Sequence, residues 1–567
     1  MSTGNEIQVI EVASLPYDRK LCAAALQGIV NRDDPRVFLD YGIYDDPAAR
    51  RTNEVFLDDG IWFGKYREMI GNQDRRNLEY YRAEHGMTAS APVDLETLVR
   101  RHASALKGCV VWDPGFPDTA NIAIMLAAQR SLLPVSSIMT DWATGLGLPV
   151  VENLCGRFAD RVELYSWCFK HLFPGSREGV IACVEPGWQR PEFADYLVQQ
   201  GIFTYSLAGS AKNPGSVLLL LLAFGPAWLR ETIYALRLDA PLRRLGLKLM
   251  GWKSAEARLA NTIQRSVKAS PYPTIYGWHT CRDDELSFML QLSANGLRLV
   301  PSHIAGNFSF HGSVRPLGSE PAAMPPMPAP DPDGVYCTFT LSDGDQLMMM
   351  NTGELGNWHC RSRGGIAFNW EVQPLLAEIA PALLEKYRRS ATPNDCLIAG
   401  PSGAGYVVPP LVPDLPAYLR ETSRICGRAG INVVTSYVAD PPRRVVKHLV
   451  RHKGGLLGYL CGYATIHRSP RTLYRDTVLI ANQSPAVSEI AFSADDLLES
   501  VRRLIEKPGP HPRFIGIHLF AYRTGIDDVA AFLRRLNNPH VHVVRADVFL
   551  MAAREYLNGN PEWRAQS

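Results

Sequence analysis

The chain has 567 residues, and its 59 Lys and Arg residues against 57 Asp and Glu residues give a formal net charge of +2. Hydrophobic residues make up 46% and charged residues 20% of the chain, which excludes a disordered protein. The near balance of charge also excludes a dedicated nucleic-acid-binding protein, which would carry a strongly basic surface. At about 100–200 residues per domain, the length predicts three or four domains.

The cysteine pattern and the apolar runs predict a cytoplasmic protein. The eleven cysteines show no CxxC spacing and lie mostly within apolar runs, which is typical of buried, reduced thiols. Residues 1–6 lack the basic and apolar segments of a secretion signal. The longest apolar run, residues 217–224, is too short for a transmembrane helix, which needs about 20 residues.

Strand-like and helix-like patterns alternate from the N-terminus and predict parallel α/β units. The first is a β-α-β pattern, with strands at residues 7–12 and 36–39 around a helix at 21–30. Similar units begin near Lys107 and again near Pro273. We therefore predict three N-terminal α/β subdomains, over residues 1–106, 107–270 and 271–315.

Residues 216–254 of the second subdomain predict a helical hairpin that is both basic and hydrophobic. No acidic residue lies between Leu242 and Lys253, where Arg and Lys alternate with Leu, Met and Trp. Such a pattern is typical of an interfacial helix that contacts a membrane surface or a protein partner. It is equally typical of a hairpin packed on its own domain, which is the interpretation we favour.

A Pro-rich segment separates the N-terminal subdomains from the rest of the chain. Residues 316–334 are rich in Pro, Ala and Gly and predict a semi-rigid linker. Beyond it, over residues 335–560, seven strand patterns alternate with helix patterns, which predicts a C-terminal (β/α) barrel-like domain. An open doubly wound sheet is the alternative. The predicted strands are residues 335–341, 365–370, 395–399, 431–436, 456–459, 514–518 and 541–545.

Two acidic residues follow the first predicted barrel strand. Asp343 and Asp345 flank Gly344 directly after that strand, at the end where a barrel carries its chemistry. Two carboxyl groups so close repel each other, so that one can hold a proton and act as an acid, or the pair can bind a divalent cation. The alternative is a turn with two solvated acids.

Polar residues and an indole end the second predicted strand. Asn369, Trp370 and Glu371 are typical of a sugar subsite, where a ring stacks on a pyranose face and polar groups bind its hydroxyls. The alternative is a core Trp370, with Asn369 and Glu371 capping a helix that begins near Pro374.

A glycine-rich loop follows the third predicted strand, from Gly400 to Pro410. It lacks the Lys-Ser/Thr of a phosphate-binding loop, and it does not match the Gly-x-Ser-x-Gly nucleophile elbow. Glycines allow the main chain to approach a ligand closely. We expect Ser402, Gly403 and Gly405 to line a substrate site into which Tyr406 projects.

Three further residues lie at or just beyond predicted strands and could contact the substrate. Asp440 precedes two prolines, so that a turn is the simpler interpretation. Asp547 is expected chiefly to cap the C-terminal helix. His518 ends an apolar strand, as a ligand-binding residue or a base, or equally as a hydrogen-bonded structural residue.

The glycine-rich loop carries a family resemblance. Residues 403–409 resemble the signature of the GxGYxYP family of glycoside hydrolases, with Val408 in place of the second Tyr. Gln346 stands where relatives usually carry Asn. The resemblance covers most of the chain, and it implies a C-terminal glycosidase-type barrel preceded by several α/β subdomains. It extends to residues 26–32, 307–311, 338–345 and 391–403.

Taken together, these features predict a glycoside hydrolase that acts on a carbohydrate or glycoconjugate. Asp343 and Asp345 would supply acid/base or nucleophile functions, with Glu371 as the other carboxylate. One alternative is a non-catalytic glycan-binding or scaffold protein. The other is a divalent-metal-dependent transferase or hydrolase that uses the Asp343/Asp345 pair. No cofactor is predicted otherwise.

Overall fold

The structure is a computed structural model in which small parallel sheets precede a larger C-terminal sheet that curls into a half-barrel. The predicted fold class is therefore confirmed. Asp343 and Asp345 lie outside the described residues. Those residues are 6–42, 72–268, 272–319, 323–327, 331–342, 347, 358–462, 472–474, 476–481, 494–520 and 524–559.

Three small parallel sheets form the N-terminal half. Their strands are β1 (Glu6–Glu11), β2 (Val37–Asp40), β3 (Thr88–Ala89), β4 (Cys109–Trp112), β5 (Leu133–Ser136), β6 (Val150–Asn153), β7 (Val180–Cys183), β8 (Phe203–Tyr205), β9 (Thr274–Gly277) and β10 (Arg298–Pro301). The sheet orders are β2-β1-β3, β5-β4-β6 and β10-β9-β7-β8. Because β9 pairs with β7, the boundary predicted at residue 270 runs through one sheet.

Helices connect these strands and bury their apolar faces. Nine consecutive residues of α1, Leu21–Ile29, are buried, and their small Ala side chains let α1 pack closely against its neighbours. The helices are α1 (Tyr17–Val30), α2 (Gln73–His85), α3 (Leu95–Arg101), α4 (Thr119–Arg130), α5 (Thr140–Gly145), α6 (Arg161–His171), α7 (Ala194–Gln200), α8 (Pro214–Phe224), α9 (Ala227–Ala235), α10 (Asp239–Lys253), α11 (Ala255–Ser266), α12 (Glu285–Asn295) and α13 (Phe308–His311).

The segment predicted as a basic hairpin folds into α8, α9 and α10. Helices α8 and α10 cross where Gly215 meets Gly246, since a Cβ atom on Gly215 would lie 2.1 Å from the Gly246 carbonyl oxygen. Within the part of the chain that the structure describes, no single helix has the length and apolarity needed to cross a membrane. Helices α8 and α9 have the required length and apolarity only when they are taken together, and the pair is bent by 94° at its junction.

The C-terminal sheet has nine strands. They are β11 (Val335–Ser342), β12 (Phe368–Val372), β13 (Asp395–Ala399), β14 (Val433–Ser436), β15 (Gly458–Cys461), β16 (Thr472–Tyr474), β17 (Thr477–Ala481), β18 (Arg513–Phe520) and β19 (Val541–Val543). Its helices are α14 (Leu376–Ile379), α15 (Pro381–Ser390), α16 (Leu415–Ala429), α17 (Arg443–Arg451), α18 (Ala494–Glu506), α19 (Ile526–Leu536) and α20 (Ala546–Gly559).

Seven parallel strands form the curled path β17-β15-β14-β13-β12-β11-β18, and β16 adds an antiparallel edge to β17. All seven predicted strands are present, whereas the sequence-based assignment missed β16 and β17. Strand β18 pairs with all eight residues of β11, so β12 and β19 share the other edge of β11. Strand β19 pairs with the first residues of β11, and β12 pairs with residues near its end.

Helix α20 fills the inner face of the curled sheet. Its apolar residues, among them Phe549 and Leu550, cluster with inward side chains such as Ile398, Val433 and Ile480. This packing covers the inner face of the curled sheet. Polar inward side chains, among them Glu371 and Thr435, lie near the carboxyl ends of their strands.

The glycine-rich loop joins the C-terminal sheet to the third N-terminal sheet. Tyr406 N donates to Leu299 O at 2.6 Å, and Leu299 N donates to Tyr406 O at 2.9 Å, so the loop extends the edge of β10. The buried Arg298 guanidinium donates to Ala404 O at 3.3 Å and lies 3.8 Å from the Glu421 carboxylate. The signature residues are thus part of the contact between the two halves of the chain.

Candidate active site

Glu371 is placed by β12 on the inner face of the curled sheet. The strand extends to Val372, two residues beyond its predicted end, and alternate residues of a strand point to opposite faces. Asn369 and Glu371 therefore point inward and Trp370 points outward. Neither polar residue caps the following helix, because Leu375 occupies that position.

The Glu371 carboxylate is held in a fixed orientation by its surroundings. Its residue is only 3% exposed, and Thr435 Oγ1 donates a hydrogen bond of 2.5 Å to Glu371 Oε2. Thr435 lies on β14, two strands away from β12, and its side chain also faces inward. A buried carboxylate held in one orientation near the end of a strand is a candidate acid or base.

Gly400 brings the main chain against this carboxylate. A Cβ atom at this position would lie 1.7 Å from Thr435 Oγ1 and 2.4 Å from Glu371 Oε2. Both separations are far below a van der Waals contact, so only glycine allows the loop to approach so closely. The start of the glycine-rich loop is therefore shaped around the Glu371–Thr435 pair.

Ser402 fixes the loop over β14. Its backbone has a φ of 72°, its N–H donates to Thr435 O at 2.7 Å, and its Oγ accepts a hydrogen bond of 3.0 Å from Tyr437 N. These bonds tie the hydroxyl oxygen to the main chain. Ser402 thus supports the loop beside Glu371.

The two signature glycines adopt left-handed backbone angles. Gly403 has a φ of 126°, and a Cβ atom there would lie 2.4 Å from the Thr422 side chain. Gly405 has a φ of 91° and packs over Arg298. These conformations turn the chain so that Tyr406 is fully buried.

Tyr406 lies between rings from both halves of the chain. Its ring centroid is 6.4 Å from that of Trp278, which follows β9, and 6.4 Å from that of Tyr437, which follows β14. Burial raises the pKa of the Tyr437 hydroxyl well above its usual value. The Tyr406 ring therefore connects the carboxylate end of the half-barrel to the N-terminal sheet.

Asn369 and Trp370 are engaged in the protein interior. Asn369 Nδ2 donates to Thr338 Oγ1 at 2.8 Å, and Asn369 Oδ1 accepts a hydrogen bond of 2.7 Å from Ala546 N, so Asn369 joins β12 to β11 and α20. The Trp370 indole is fully buried on the outer face and donates to Asp395 Oδ1 at 2.9 Å. The structure does not bring Trp370 to the Glu371 carboxylate.

Asp440 and Asp547 pair with arginines. Asp440 lies 2.6 Å from the buried Arg230 guanidinium of α9. Asp547 lies 2.6 Å from Arg545, and its Oδ1 accepts a hydrogen bond from Val548 N in the first turn of α20. Both carboxylates therefore have structural partners away from Glu371.

His518 lies on the inner face, one layer below Glu371. It pairs in register with Thr340 of β11, which in turn pairs with Asn369 of β12. Its side chain is buried, with only 2% of the residue exposed. The structure thus brings His518 to the same interior as Glu371.

Ser342 is a site residue that the sequence-based prediction missed. The register of β11 and β12 places it beside Glu371, one residue before the predicted acidic pair. Its buried Oγ has no hydrogen-bond partner among the described residues. Ser342 could have been identified from the sequence, because its hydroxyl group lies at the end of a predicted strand, directly before Asp343.

A row of rings at the end of β9 was also missed. Trp278 stacks on His303 with a centroid distance of 5.2 Å, and His279 lies 5.2 Å from Trp188. Burial lowers the pKa of His279, which favours its neutral form. Trp278 and His279 directly follow a parallel strand, which is the strand-end signal that identified the barrel residues.

Across the residues that the structure describes, no three His, Cys, Asp or Glu side chains are grouped closely enough to hold a metal ion. The described part of the site is therefore a carboxylate, hydroxyls and aromatic rings. This set of groups is suited to binding a polyol and exchanging protons with it.

Two family descriptions match the chain. Residues 333–554 match "GxGYxYP putative glycoside hydrolase C-terminal domain", and residues 106–176 match "GxGYxYP_N second domain". The first contains all of β11–β19, and the second contains the sheet β5-β4-β6 with α6. Together they span just over half of the chain.

A solved structure described as a putative hydrolase from Bacteroides thetaiotaomicron VPI-5482 resembles the whole chain. The TM-score is 0.73 at 16% sequence identity, over 98% of this chain and 96% of that chain. At this identity the likeness establishes the fold alone. No curated protein matches the chain.

Proposed function

Because the chain belongs to the GxGYxYP family, we propose that it is a glycoside hydrolase whose catalytic carboxylates lie at the carboxyl ends of β11 and β12. The observation that carries this proposal is the buried Glu371 carboxylate, held by Thr435 and covered by the main chain at Gly400. The carboxyl end of a strand in a curled parallel sheet is where barrel enzymes carry their catalytic groups.

The proposed mechanism uses Glu371 and one residue of the Asp343/Asp345 pair. Glycoside hydrolysis needs one carboxylic acid that protonates the leaving oxygen and one carboxylate that acts as nucleophile or base. The acidic pair directly follows Ser342, which lies beside Glu371 in register. We assign Glu371 the role of the oriented carboxylate, since its hydrogen bond to Thr435 fixes the plane of the carboxyl group.

The proposed substrate is a carbohydrate or a glycoconjugate. Tyr406, Tyr437 and Trp278 form a chain of aromatic rings from the Glu371 loop to the third N-terminal sheet. His279, His303 and Trp188 continue it, and these three rings are partly exposed. Aromatic faces bind the apolar faces of sugar rings, so the partly exposed rings of Trp188, His279 and His303 would hold sugar units of the substrate.

The test is a screen of the full-length protein against aryl glycosides and oligosaccharides. We expect release of the aglycone or of shorter sugars from at least one of them. Asp343→Asn and Asp345→Asn are then compared on that substrate, and the one that removes a catalytic carboxylate should lower kcat by about 100-fold or more. Turnover that survives both substitutions would eliminate the acidic pair from the mechanism.

Binding without turnover would give a different answer. If a sugar binds saturably to the wild-type protein but no product forms, the chain is a glycan-binding protein and the hydrolase assignment fails. Activity that a chelator abolishes and Mn²⁺ or Mg²⁺ restores would instead indicate a metal-dependent enzyme.

A further inference from the structure

The segment that contains α8–α10 exposes unusually many apolar side chains. Of the thirteen large hydrophobic residues that are exposed in the described chain, six lie on these three helices and two lie in the connection between α9 and α10. Trp228 is 70% and Trp252 is 72% exposed, so both indoles stand almost free in solvent. We call the exposed part of this segment the hairpin surface; its apolar residues are Val217, Leu220, Leu221, Trp228, Leu236, Leu238, Leu245 and Trp252.

The charged residues exposed around the hairpin surface are basic. Between residues 212 and 252, the exposed charged side chains are those of Lys212, Arg237, Arg244 and Lys248. The two acidic residues of this stretch are partly buried against α17. Glu231 accepts a hydrogen bond from Arg443 N, and Asp239 lies 3.4 Å from the Arg444 guanidinium.

The hairpin surface is held in place by the protein interior. Leu219, Leu222 and Met250 are buried beneath it, and the contact of Gly215 with Gly246 fixes α8 against α10. The Arg230 guanidinium also ties α9 to Asp440 of the C-terminal domain. The exposed apolar side chains are therefore presented on a rigid support and need no refolding to bind a partner.

We infer that the hairpin surface docks onto an anionic lipid bilayer. Helices that lie in a membrane interface combine Leu and Trp on one face with Lys and Arg that reach the headgroups. Trp prefers the boundary between headgroups and acyl chains. The four exposed basic residues complement the negative surface of an anionic leaflet.

The same charges disfavour a second copy of the chain as the occupant. A two-fold contact places the same patch on both subunits, so Arg244 and Lys248 would face like charges across it. Between residues 212 and 252, the acidic residues Glu231 and Asp239 are partly buried and bind Arg443 and Arg444. This stretch therefore has no exposed acidic residue that could pair with the basic residues of a second copy. An anionic lipid surface satisfies both the apolar and the basic groups.

The experiment is cosedimentation of the full-length protein with vesicles. We expect binding to phosphatidylcholine vesicles that contain phosphatidylglycerol, and at least about 30-fold weaker binding to phosphatidylcholine alone. Trp228→Ser/Trp252→Ser should weaken binding at least about tenfold. Arg244→Ser/Lys248→Ser should weaken it roughly 10–30-fold, on anionic vesicles only. High salt should weaken wild-type binding, because it screens the charges.

Ile138→Ser is the matched control, because Ile138 is 80% exposed but directly follows β5 in the chain and is not part of the hairpin surface. It should bind vesicles as the wild type does, with an unchanged melting temperature. The inference is overturned if wild-type protein sediments with neither vesicle, or if the Trp double variant binds as well as wild type. It is also overturned if light scattering shows a dimer that the Trp double variant dissociates.

Discussion

Gly400 determines how close the main chain can come to the Glu371 carboxylate. We predict that Gly400→Ala lowers the free energy of unfolding by about 1–3 kcal/mol, because its Cβ overlaps the side chains of Thr435 and Glu371. The displaced carboxylate should also lower kcat by about 100-fold. Urea unfolding and steady-state kinetics on the substrate identified by the screen would measure both effects.

Gly427→Ala provides the control for this substitution. Gly427 lies in α16 of the same domain, and nothing is within 4 Å of a Cβ atom placed on it. We expect unchanged activity and a gain of up to about 1 kcal/mol, since Ala favours a helix over Gly. If Gly400→Ala behaved like Gly427→Ala, the loop would not be shaped around the carboxylate.

Asp195 predicts a pH dependence of stability. It is fully buried on α7, where Ser309 N donates to its carboxylate at 2.7 Å, and burial raises its pKa from 3.8 to about 7. The folded state therefore keeps a proton that the unfolded chain loses near pH 4. The contribution of Asp195 to the free energy of unfolding is fully present below about pH 4, and it is lost as the pH rises through about 7.

Asp195→Asn cannot titrate, so it should reduce the loss of stability between about pH 5 and pH 8 by up to about 3 kcal/mol. Urea unfolding at a series of pH values measures this slope for both proteins. Asp141→Asn, which alters an exposed carboxylate, should leave the slope unchanged. Equal slopes for wild type and Asp195→Asn would show that the Asp195 proton is not linked to folding.

At the residue scale, the sequence identified part of the candidate site. Glu371 and the glycine-rich loop could be selected because polar residues and glycines after apolar strands are unusual in a core. Thr435 could not, because a Thr within the run Val433–Ser436 is also typical of an ordinary strand. Whether Trp370 could contact a ligand depended on the face of β12 to which its side chain points. The predicted strand ended at residue 370, two residues too early, so the sequence did not show that Trp370 and Glu371 point to opposite faces.

At the scale of elements, local sequence patterns predicted the positions of the strands better than they predicted which strands pair with each other. The seven predicted barrel strands are all present, because their apolar runs are long enough to stand out. Strand length alone does not explain the two misses, because β19 has three residues and was predicted, whereas β17 has five and was missed. The pairing of β9 with β7 joins residues about ninety positions apart, and only the packing of the intervening helices determines it.

The crossing of α8 and α10 gives a prediction at this scale. Gly215→Ala should lower the free energy of unfolding by about 1–3 kcal/mol, because its Cβ meets the Gly246 carbonyl oxygen and Met250 N, which are main-chain atoms. Gly251→Ala in the same pair of helices is the control. Its nearest neighbour would be 3.4 Å away, so it should fold at least as stably as wild type. Equal thermal stability of both variants would contradict the close crossing.

At the scale of the whole molecule, the glycine-rich loop serves both halves of the chain. Its first residue contacts the Glu371 carboxylate, and Tyr406 pairs with Leu299 at the edge of β10. The N-terminal sheet therefore contributes Trp278 to the surroundings of the loop. The signature motif combines glycines with a buried tyrosine, because Gly403 and Gly405 adopt positive φ angles against Thr422 and Arg298, and the contact between the two halves needs a large ring.

The most direct test of the account is the activity of Glu371→Gln compared with that of Glu378→Gln. Glu378 is a carboxylate of the same domain that pairs with Arg424 and Arg428 on α16, away from the inner face. On the substrate found in the screen, we expect Glu371→Gln to lower kcat by about 100-fold or more while Glu378→Gln stays close to wild type. A Glu371→Gln variant that is folded and turns over at the wild-type rate would contradict the central claim.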